Sequence, residues 1–323
     1  LEFSPSISYT VPRFVFPMSL FLKDLNRIYA RETKTSVSYN FQERPDFSRS
    51  IFTTSYGYKW NTSRTSLWEF NLFEVNAVDV YNEAPSFRDK LDALNDRLLQ
   101  RSFEPHLTTV TNMAYTFSNQ SANKNRSFTY FRVRGESSGN LLRLTNNILG
   151  SQKDSLGTYK IFNIPYSQYV KLEFDVRRYW QINKHNQLVG RMMAGAGVPL
   201  KNLGILPFES SFIGGGANDI RAWRPRTLGP GSLPEDEQED LDQFGDIKLE
   251  WNLEYRFDIY KWFKGAFFAD AGNIWLMQKD ENRTNAHFEF NRFYQEIALG
   301  SGLGLRLDFN FFVIRVDAAI PFY

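Results

Sequence analysis

The chain has 323 residues, of which 16% are aromatic and 23% charged, with no cysteine and a formal net charge of +2. This length allows two domains or one large all-β domain, and a mean hydropathy of −0.43 argues against a helical membrane protein. The lack of cysteine excludes disulfides and thiolate chemistry, and the balanced charge argues against nucleic-acid binding. No stretch reaches the roughly 18 apolar residues of a spanning helix, and the first residues lack signal-peptide features, so we expect a mature or truncated chain.

Alternating polar and apolar residues predict about twelve β-strands. The clearest is "KLEWNLEYRF" (248–257), whose apolar and charged residues fall on opposite faces. The predicted strands lie near residues 6–16, 34–43, 49–60, 65–78, 105–118, 126–137, 168–180, 186–198, 245–257, 262–275, 296–308 and 309–320. Between the fourth and fifth, apolar residues at helical spacing predict a short amphipathic helix over residues 85–100.

The length of these strands points to a membrane. Ten residues at about 3.3 Å each, tilted by about 45°, rise roughly 23 Å, close to the ~25 Å apolar band of an outer-membrane barrel. In such a barrel the apolar face meets lipid and the charged face lines the lumen. We therefore predict an all-β fold, a transmembrane antiparallel β-barrel, with a large soluble β-sandwich as the alternative.

The segment "SFIGGGANDIRAWRPRTLGPGS" (211–232) lies in a long loop, residues 204–243, between the eighth and ninth strands. Its glycines favour close backbone approach or positive φ. The glycines concerned are Gly214, Gly215, Gly216 and Gly229. No Gly-Lys-Ser/Thr follows them, so a phosphate cradle is not predicted.

Arginines in this loop could anchor it inside a barrel. An arginine fork can hold two carboxylates in a partly desolvated lumen, and Glu250, Glu254 and Asp270 face inward on the next two predicted strands. We therefore expect residues 204–243 to form a lumen plug tied to the barrel wall.

Other polar residues give no catalytic pattern. His106, His185 and His287 are scattered and have no metal-ligand spacing, and the acidic run 234–242 lacks the spacing of a calcium loop. We expect a solvated acidic loop, no metal, no cofactor and no enzymatic activity.

Three motifs follow one another along the chain: "GGGANDIRAW", which contains Ile220, Arg221, Ala222 and Trp223, then "LEYRF" and "FFADAGNIW" (267–275). Their order resembles that of the BamA/TamA family of outer-membrane barrel assembly proteins, and the chain resembles this family over most of its length. The first motif resembles the signature of the family's sixth extracellular loop, the third resembles its Phe-x-Asp-x-Gly strand, and the second resembles the preceding strand with an inward glutamate. The resemblance implies that Arg221 is the loop arginine and that Asp270 and Glu254 are its carboxylates.

The loop departs from the family pattern at two positions. Ala222 stands where glycine is usual, and Trp223 where Phe or Tyr is usual. If the first position requires positive φ, alanine would be strained there.

The family also implies a sixteen-stranded barrel, so the first three strands, the last strand and the preceding POTRA modules would be missing from this chain. The implied function is the folding and insertion of outer-membrane proteins through a lateral seam in a Gram-negative-type bacterium. The implied partners are unfolded outer-membrane proteins, accessory periplasmic or outer-membrane lipoproteins and the lipid bilayer. The alternatives are TamA-like or two-partner-secretion-type translocation and, from another class, a diffusion porin or solute transporter.

Overall fold

A computed structural model of the chain describes residues 1–21, 29–43, 47–87, 89, 100, 104–121, 126–149, 153–154, 157–232, 242–280, 283–309 and 311–322. Its strands are β1 (Glu2–Phe3), β2 (Ser6–Val11), β3 (Ala30–Glu43), β4 (Ser48–Ser63), β5 (Ser66–Tyr81), β6 (His106–Ser118), β7 (Phe128–Ser138), β8 (Lys160–Ile161), β9 (Ile164–Pro165), β10 (Tyr169–Gln181), β11 (Asn186–Pro199), β12 (Ile247–Tyr260), β13 (Phe263–Trp275), β14 (Ala298–Asp308) and β15 (Val313–Pro321). The helices are α1 (Met18–Phe21), α2 (Asn140–Leu149) and a 3-10 turn at Phe293–Gln295.

Thirteen of these strands form one antiparallel sheet in the order β1-β3-β4-β5-β6-β7-β10-β11-β12-β13-β14-β15, with β2 also pairing with β3. The remaining two, β8 and β9, form a separate small hairpin. All twelve predicted strands are present, so the all-β prediction is confirmed. None of the described helices is long and apolar enough to cross a membrane.

The ends of the sheet differ from the predicted bounds. The strand predicted over 6–16 ends at Val11, because Pro12 has no backbone N–H to continue the ladder. The strand predicted over 309–320 begins at Val313, because Phe309 N donates to Phe312 O across the turn that joins β14 and β15. Both differences come from local turn chemistry.

The alternation of the strands is inverted relative to a soluble protein. On β12 the polar side chains Lys248, Glu250 and Glu254 are buried, whereas Trp251 and Leu253 are exposed. Exposure of this apolar surface to water would be unfavourable in free energy, whereas exposure to lipid would not. The strand pattern predicts this arrangement, with apolar residues outside and charged residues inside, for a transmembrane barrel.

The chain divides into two units. The first contains residues 1–115, 134–172 and 197–210, with one core cluster around Phe14, Tyr58 and Trp60 and another around Tyr169 and Leu206. The second contains residues 116–133, 173–196 and 211–323, with a core cluster of Ile220, Leu228 and Ala298.

Two predicted segments fall mainly outside the described residues. Of the amphipathic helix predicted over 85–100, residues 85–87 are helical, and Phe87 packs on Phe47 with 5.5 Å between ring centroids. Of the acidic run 234–242, Asp242 is described and pairs with Arg226 at 2.7 Å. The sequence prediction contains no helix at α2, whose asparagines favour other backbone conformations.

Candidate functional site

The candidate site lies in the second unit, where the loop after β11 meets β12, β13, β14 and β15. The loop folds back on itself between Gly216 and Trp223, since Gly216 N donates to Trp223 O at 2.9 Å and Trp223 N donates to Ile220 O at 3.2 Å. This tight turn presents Arg221 to the strands.

The predicted loop glycines allow parts of the loop to approach one another closely. Gly215 and Gly216 have φ of +87° and +109°, and Gly229 has φ of +78°. A Cβ on Gly215 would come within 2.3 Å of the carbonyl oxygen of Arg224, and one on Gly214 would press on Leu228. Larger residues at these positions would open the turn.

Arg221 is held by a two-pronged contact with Asp270 on β13. Its Nε donates to Asp270 Oδ2 and its Nη2 to Asp270 Oδ1, both at 2.8 Å, and its backbone N–H also donates to Asp270 Oδ2 at 3.1 Å. Its Nη1 donates to Glu254 Oε2 on β12 at 2.6 Å. Burial tends to lower the pKa of Arg221, but the bonds and charges of Asp270 and Glu254 outweigh this effect and raise it. The structure thus brings the three predicted residues together.

The strand motif contacts the loop through residues that sequence reasoning did not assign. The guanidinium of Arg221 stacks on Phe268, with its central carbon 3.4 Å from the ring centroid. Gly272 leaves room for Ile220, since a Cβ there would lie 3.0 Å from Ile220 Cδ1. The first, third and fifth positions of Phe-x-Asp-x-Gly therefore all face the loop. Alternate residues of a strand share one face, so the sequence could have revealed this pattern.

The loop residues beside Arg221 also fit closely. Ile220 is 1% exposed and packs with Leu228, Ala298 and Trp223. Ala222 does not have positive φ, so the strain considered from the sequence does not arise. Its methyl group instead lies over Gly300 of β14, where an added Cβ would come within 2.6 Å.

A wider charge network surrounds Glu254. Arg306 of β14 donates to Glu254 Oε1 at 2.7 Å, and Arg256 donates to the same oxygen at 2.6 Å. Asp317 of β15 lies 3.4 Å from Arg306 and 3.0 Å from Arg315. Arg306 and Asp317 were not among the predicted site residues. They lie two and three strands away from β12, so their side chains reach the surroundings of Glu254 across the inner face of the sheet and not through strand pairing.

Glu250 belongs to a neighbouring cluster rather than to Arg221. It accepts from Arg191 of β11 at 2.5 Å and lies 3.3 Å from Lys248. Lys248 in turn pairs with Asp219 of the loop at 2.6 Å. The inward orientation predicted for Glu250 is correct, and its contact fastens the same loop at a second point.

A polar cavity of about 430 Å³ adjoins these clusters in the second unit. Its lining includes two carboxylates, Asp219 and Glu254, and five arginines, Arg177, Arg191, Arg221, Arg256 and Arg315. The described residues include no group of three or more His, Asp or Glu that could hold a metal ion. The arrangement suits fixing a loop through charge pairs.

The histidines are paired separately. His106 contacts Glu209 at 2.9 Å, His185 contacts Asp258 at 3.0 Å, and His287 contacts Glu289 at 2.6 Å. They lie apart in the chain, and each has a different partner.

Comparison with protein families matches residues 2–323 to the Omp85 superfamily domain. Comparison with curated protein sequences gives no match. Among solved structures, the chain is similar in fold to BamA from Haemophilus ducreyi lacking POTRA domains 1-3, at 11% identity and a TM-score of 0.67, covering 99% of this chain and 58% of that one. It is also similar to CdiB from Escherichia coli, at 12% identity and a TM-score of 0.54, covering 100% of this chain and 49% of that one. The chain thus spans about half the length of these structures.

Proposed function

Because the chain belongs to the Omp85 superfamily, we propose that it folds and inserts β-barrel proteins into the outer membrane of a Gram-negative-type bacterium. The observation that carries the proposal is the loop arginine Arg221, held by Asp270 and Glu254 in a chain that matches this superfamily from residue 2 to residue 323. The family assignment agrees with the prediction that the chain is not an enzyme.

The proposed mechanism is strand templating at a lateral seam. The seam that the family implies lies between the first and last strands of the barrel, where an edge strand presents unpaired N–H and C=O groups. In lipid each unpaired group costs several kcal/mol, so a client strand gains by pairing with such an edge. Successive client strands would then add by the same main-chain bonds, without nucleotide or cofactor.

The loop over residues 204–243 would act as a lumen plug in this mechanism. Arg221 would keep the loop on the inner faces of β12 and β13, and Lys248 and Arg191 would fasten it further through Asp219 and the carbonyl oxygen of Asn218. A fixed plug would block solute flow and hold the wall in the arrangement that receives a client.

The proposed partners are unfolded outer-membrane proteins, the lipid bilayer and accessory periplasmic or outer-membrane lipoproteins. A second candidate is the translocation of a particular protein, in a TamA-like or two-partner-secretion-type role. The fold similarity to CdiB as well as to BamA supports keeping that candidate.

Reconstitution tests the proposal directly. The purified full-length protein in lipid vesicles should accelerate the folding of a small test barrel, followed by its heat-resistant band and its protection from protease. Arg221→Ala should reduce this acceleration, whereas Arg224→Ala, an exposed arginine of the same loop, should not. No acceleration over protein-free vesicles would contradict the assembly role, and stable large conductance in single-channel recordings would favour a porin.

A further inference from the structure

Helix α2 turns its apolar side outward and its polar side toward the protein, which is the reverse of the usual arrangement for a surface helix. Leu141, Leu144 and Ile148 are 68%, 56% and 73% exposed. They occur at i, i+3 and i+7, which places them on one side of the helix. A helix on a water-soluble surface would turn this side toward the protein.

The opposite side of α2 contacts the segment that follows it in the first unit. Asn146 Nδ2 donates to the hydroxyl of Tyr166 at 3.1 Å, and the guanidinium of Arg143 lies over the ring of Tyr159 at 4.5 Å. The polar side therefore has its partners in the protein. These contacts fix the rotation of the helix and leave the leucines and the isoleucine outward.

The start of α2 is fastened to a strand that faces lipid. Asn140 Nδ2 donates to the carbonyl oxygen of Tyr169, the first residue of β10, at 3.3 Å, and Asn140 Oδ1 accepts from Gln168 at 2.9 Å. The next outward residues of β10, Val170 and Leu172, are 46% and 43% exposed. The first turn of α2 thus lies at the end of β10 that carries these outward apolar residues.

We propose that α2 is an interfacial membrane anchor, whose Leu141, Leu144 and Ile148 insert among the lipid acyl chains beside β10. A helix of this kind lies in the plane of the membrane, with its apolar face about 5–10 Å into the boundary between headgroups and acyl chains. The occupant is lipid, because the helix begins at the end of a strand whose outward apolar residues lipid must cover. The inference rests on the proposed outer-membrane location and extends it to a segment between strands.

These 323 residues contain no cysteine, so one introduced cysteine labels one site within them. Leu144→Cys would carry an environment-sensitive fluorophore in the full-length protein, reconstituted in phosphatidylethanolamine and phosphatidylglycerol vesicles with brominated acyl chains. Leu172→Cys on β10 reports whether the strands span the bilayer, and Lys184→Cys in the exposed turn between β10 and β11 reports water. Ile148→Cys replaces the first variant if that one fails to fold.

The expected result is that the label at Leu144 loses most of its emission to the brominated lipid, as at Leu172, and resists iodide in the water phase. The label at Lys184 should show the opposite behaviour. Lipid quenching at Leu172 with iodide quenching at Leu144 would overturn the anchor while leaving the membrane location intact. Protection of Leu144 from both quenchers would overturn it in favour of a protein that covers the helix. No lipid quenching at Leu172 would overturn the membrane location as well.

Discussion

At the residue scale, Arg221 combines three interactions that no other side chain provides together. Its planar guanidinium satisfies both oxygens of Asp270, reaches Glu254 with its remaining nitrogen and presents its flat face to Phe268. Lysine offers one point charge and no flat face. The position therefore requires the shape of arginine as well as its charge.

We predict that Arg221→Ala releases the loop from the strands. Removing one partner of a buried ion pair costs about 3–5 kcal/mol, because Asp270 then remains charged and buried without its arginine, whereas Glu254 keeps Arg256 and Arg306. Limited proteolysis of folded protein in detergent should cut the loop faster in this variant than in wild type. Arg221→Lys should be intermediate, and Arg224→Ala should match wild type. Unchanged protection in Arg221→Ala would show that the loop is held by other contacts.

Asp246, just before β12, provides a pH-dependent prediction. Burial raises its pKa to about 6, against the opposing effects of the Met277 N–H and the charge of Arg283. A raised carboxyl pKa means that the stabilising contribution is present at low pH and is lost as the pH rises through about 6. Asp246→Asn should therefore melt at a higher temperature than wild type at pH 8 and at a similar temperature at pH 4. An equal shift at both pH values would contradict this account.

Residues of the site differ in how far the sequence could identify them. Arg221, Glu254 and Asp270 could be selected because the period of two places carboxylates inward and the loop motif resembles that of a known family. Phe268 was not selected, because its stacking depends on how the loop approaches the strand. Arg306 and Asp317 depend on the lateral order and register of four strands, which a single sequence does not specify.

At the element scale, β14 is shaped to receive the loop. Gly300, Gly302 and Gly304 fall on one face of this strand. A Cβ on Gly300 would meet Ala222, and one on Gly302 would come within 2.5 Å of the Phe268 ring. The glycines create a groove in the wall beside Arg221 and Trp223.

We predict that Gly300→Val displaces the loop without removing any charge. The added side chain would occupy the space of Ala222 and lie against Trp223, whose ring is 3.3 Å from the added Cβ. Overpacking of this kind costs about 1–3 kcal/mol. Proteolysis of the loop should rise as in Arg221→Ala, while Ser301→Val on the other face of β14 should leave it unchanged. Wild-type protection in Gly300→Val would exclude a tight fit at this point.

The first unit contains a separate connection between segments, at Asn202. This side chain is 1% exposed, accepts from Tyr159 N at 2.8 Å and donates to the carbonyl oxygens of Tyr159 and Tyr166 at 3.1 and 2.7 Å. It joins the start of the long loop to the segment that follows α2.

Asn202→Ala should destabilise this connection, because each buried backbone group left unpaired costs about 1–3 kcal/mol. We expect a lower melting temperature and faster hydrogen exchange at residues 157–166, measured by mass spectrometry. Asn183→Ala, in the exposed turn between β10 and β11, serves as the control. Equal exchange in the two variants would show that other contacts hold the segment.

At the scale of the whole molecule, the sheet buries charge and exposes apolar surface. On β12, Glu250 is 1% exposed while Leu253 is 50% exposed. The sequence predicts this inversion because the length of the strands and the mixed charges of one face fit a membrane barrel. It does not predict α2, because the orientation of this helix depends on the contacts of Asn146 with Tyr166 and of Arg143 with Tyr159.

Depletion of the protein in its own cells would show whether it assembles other barrels. Quantitative proteomics would measure the abundance of each outer-membrane protein over several generations of depletion. We expect a broad fall in many unrelated barrel proteins, with their unfolded forms accumulating in the periplasm. Wild-type protein should restore them, and the Arg221→Ala variant should restore them poorly. Loss of a single exported protein, or of solute uptake alone, with all other barrels intact, would contradict an assembly role.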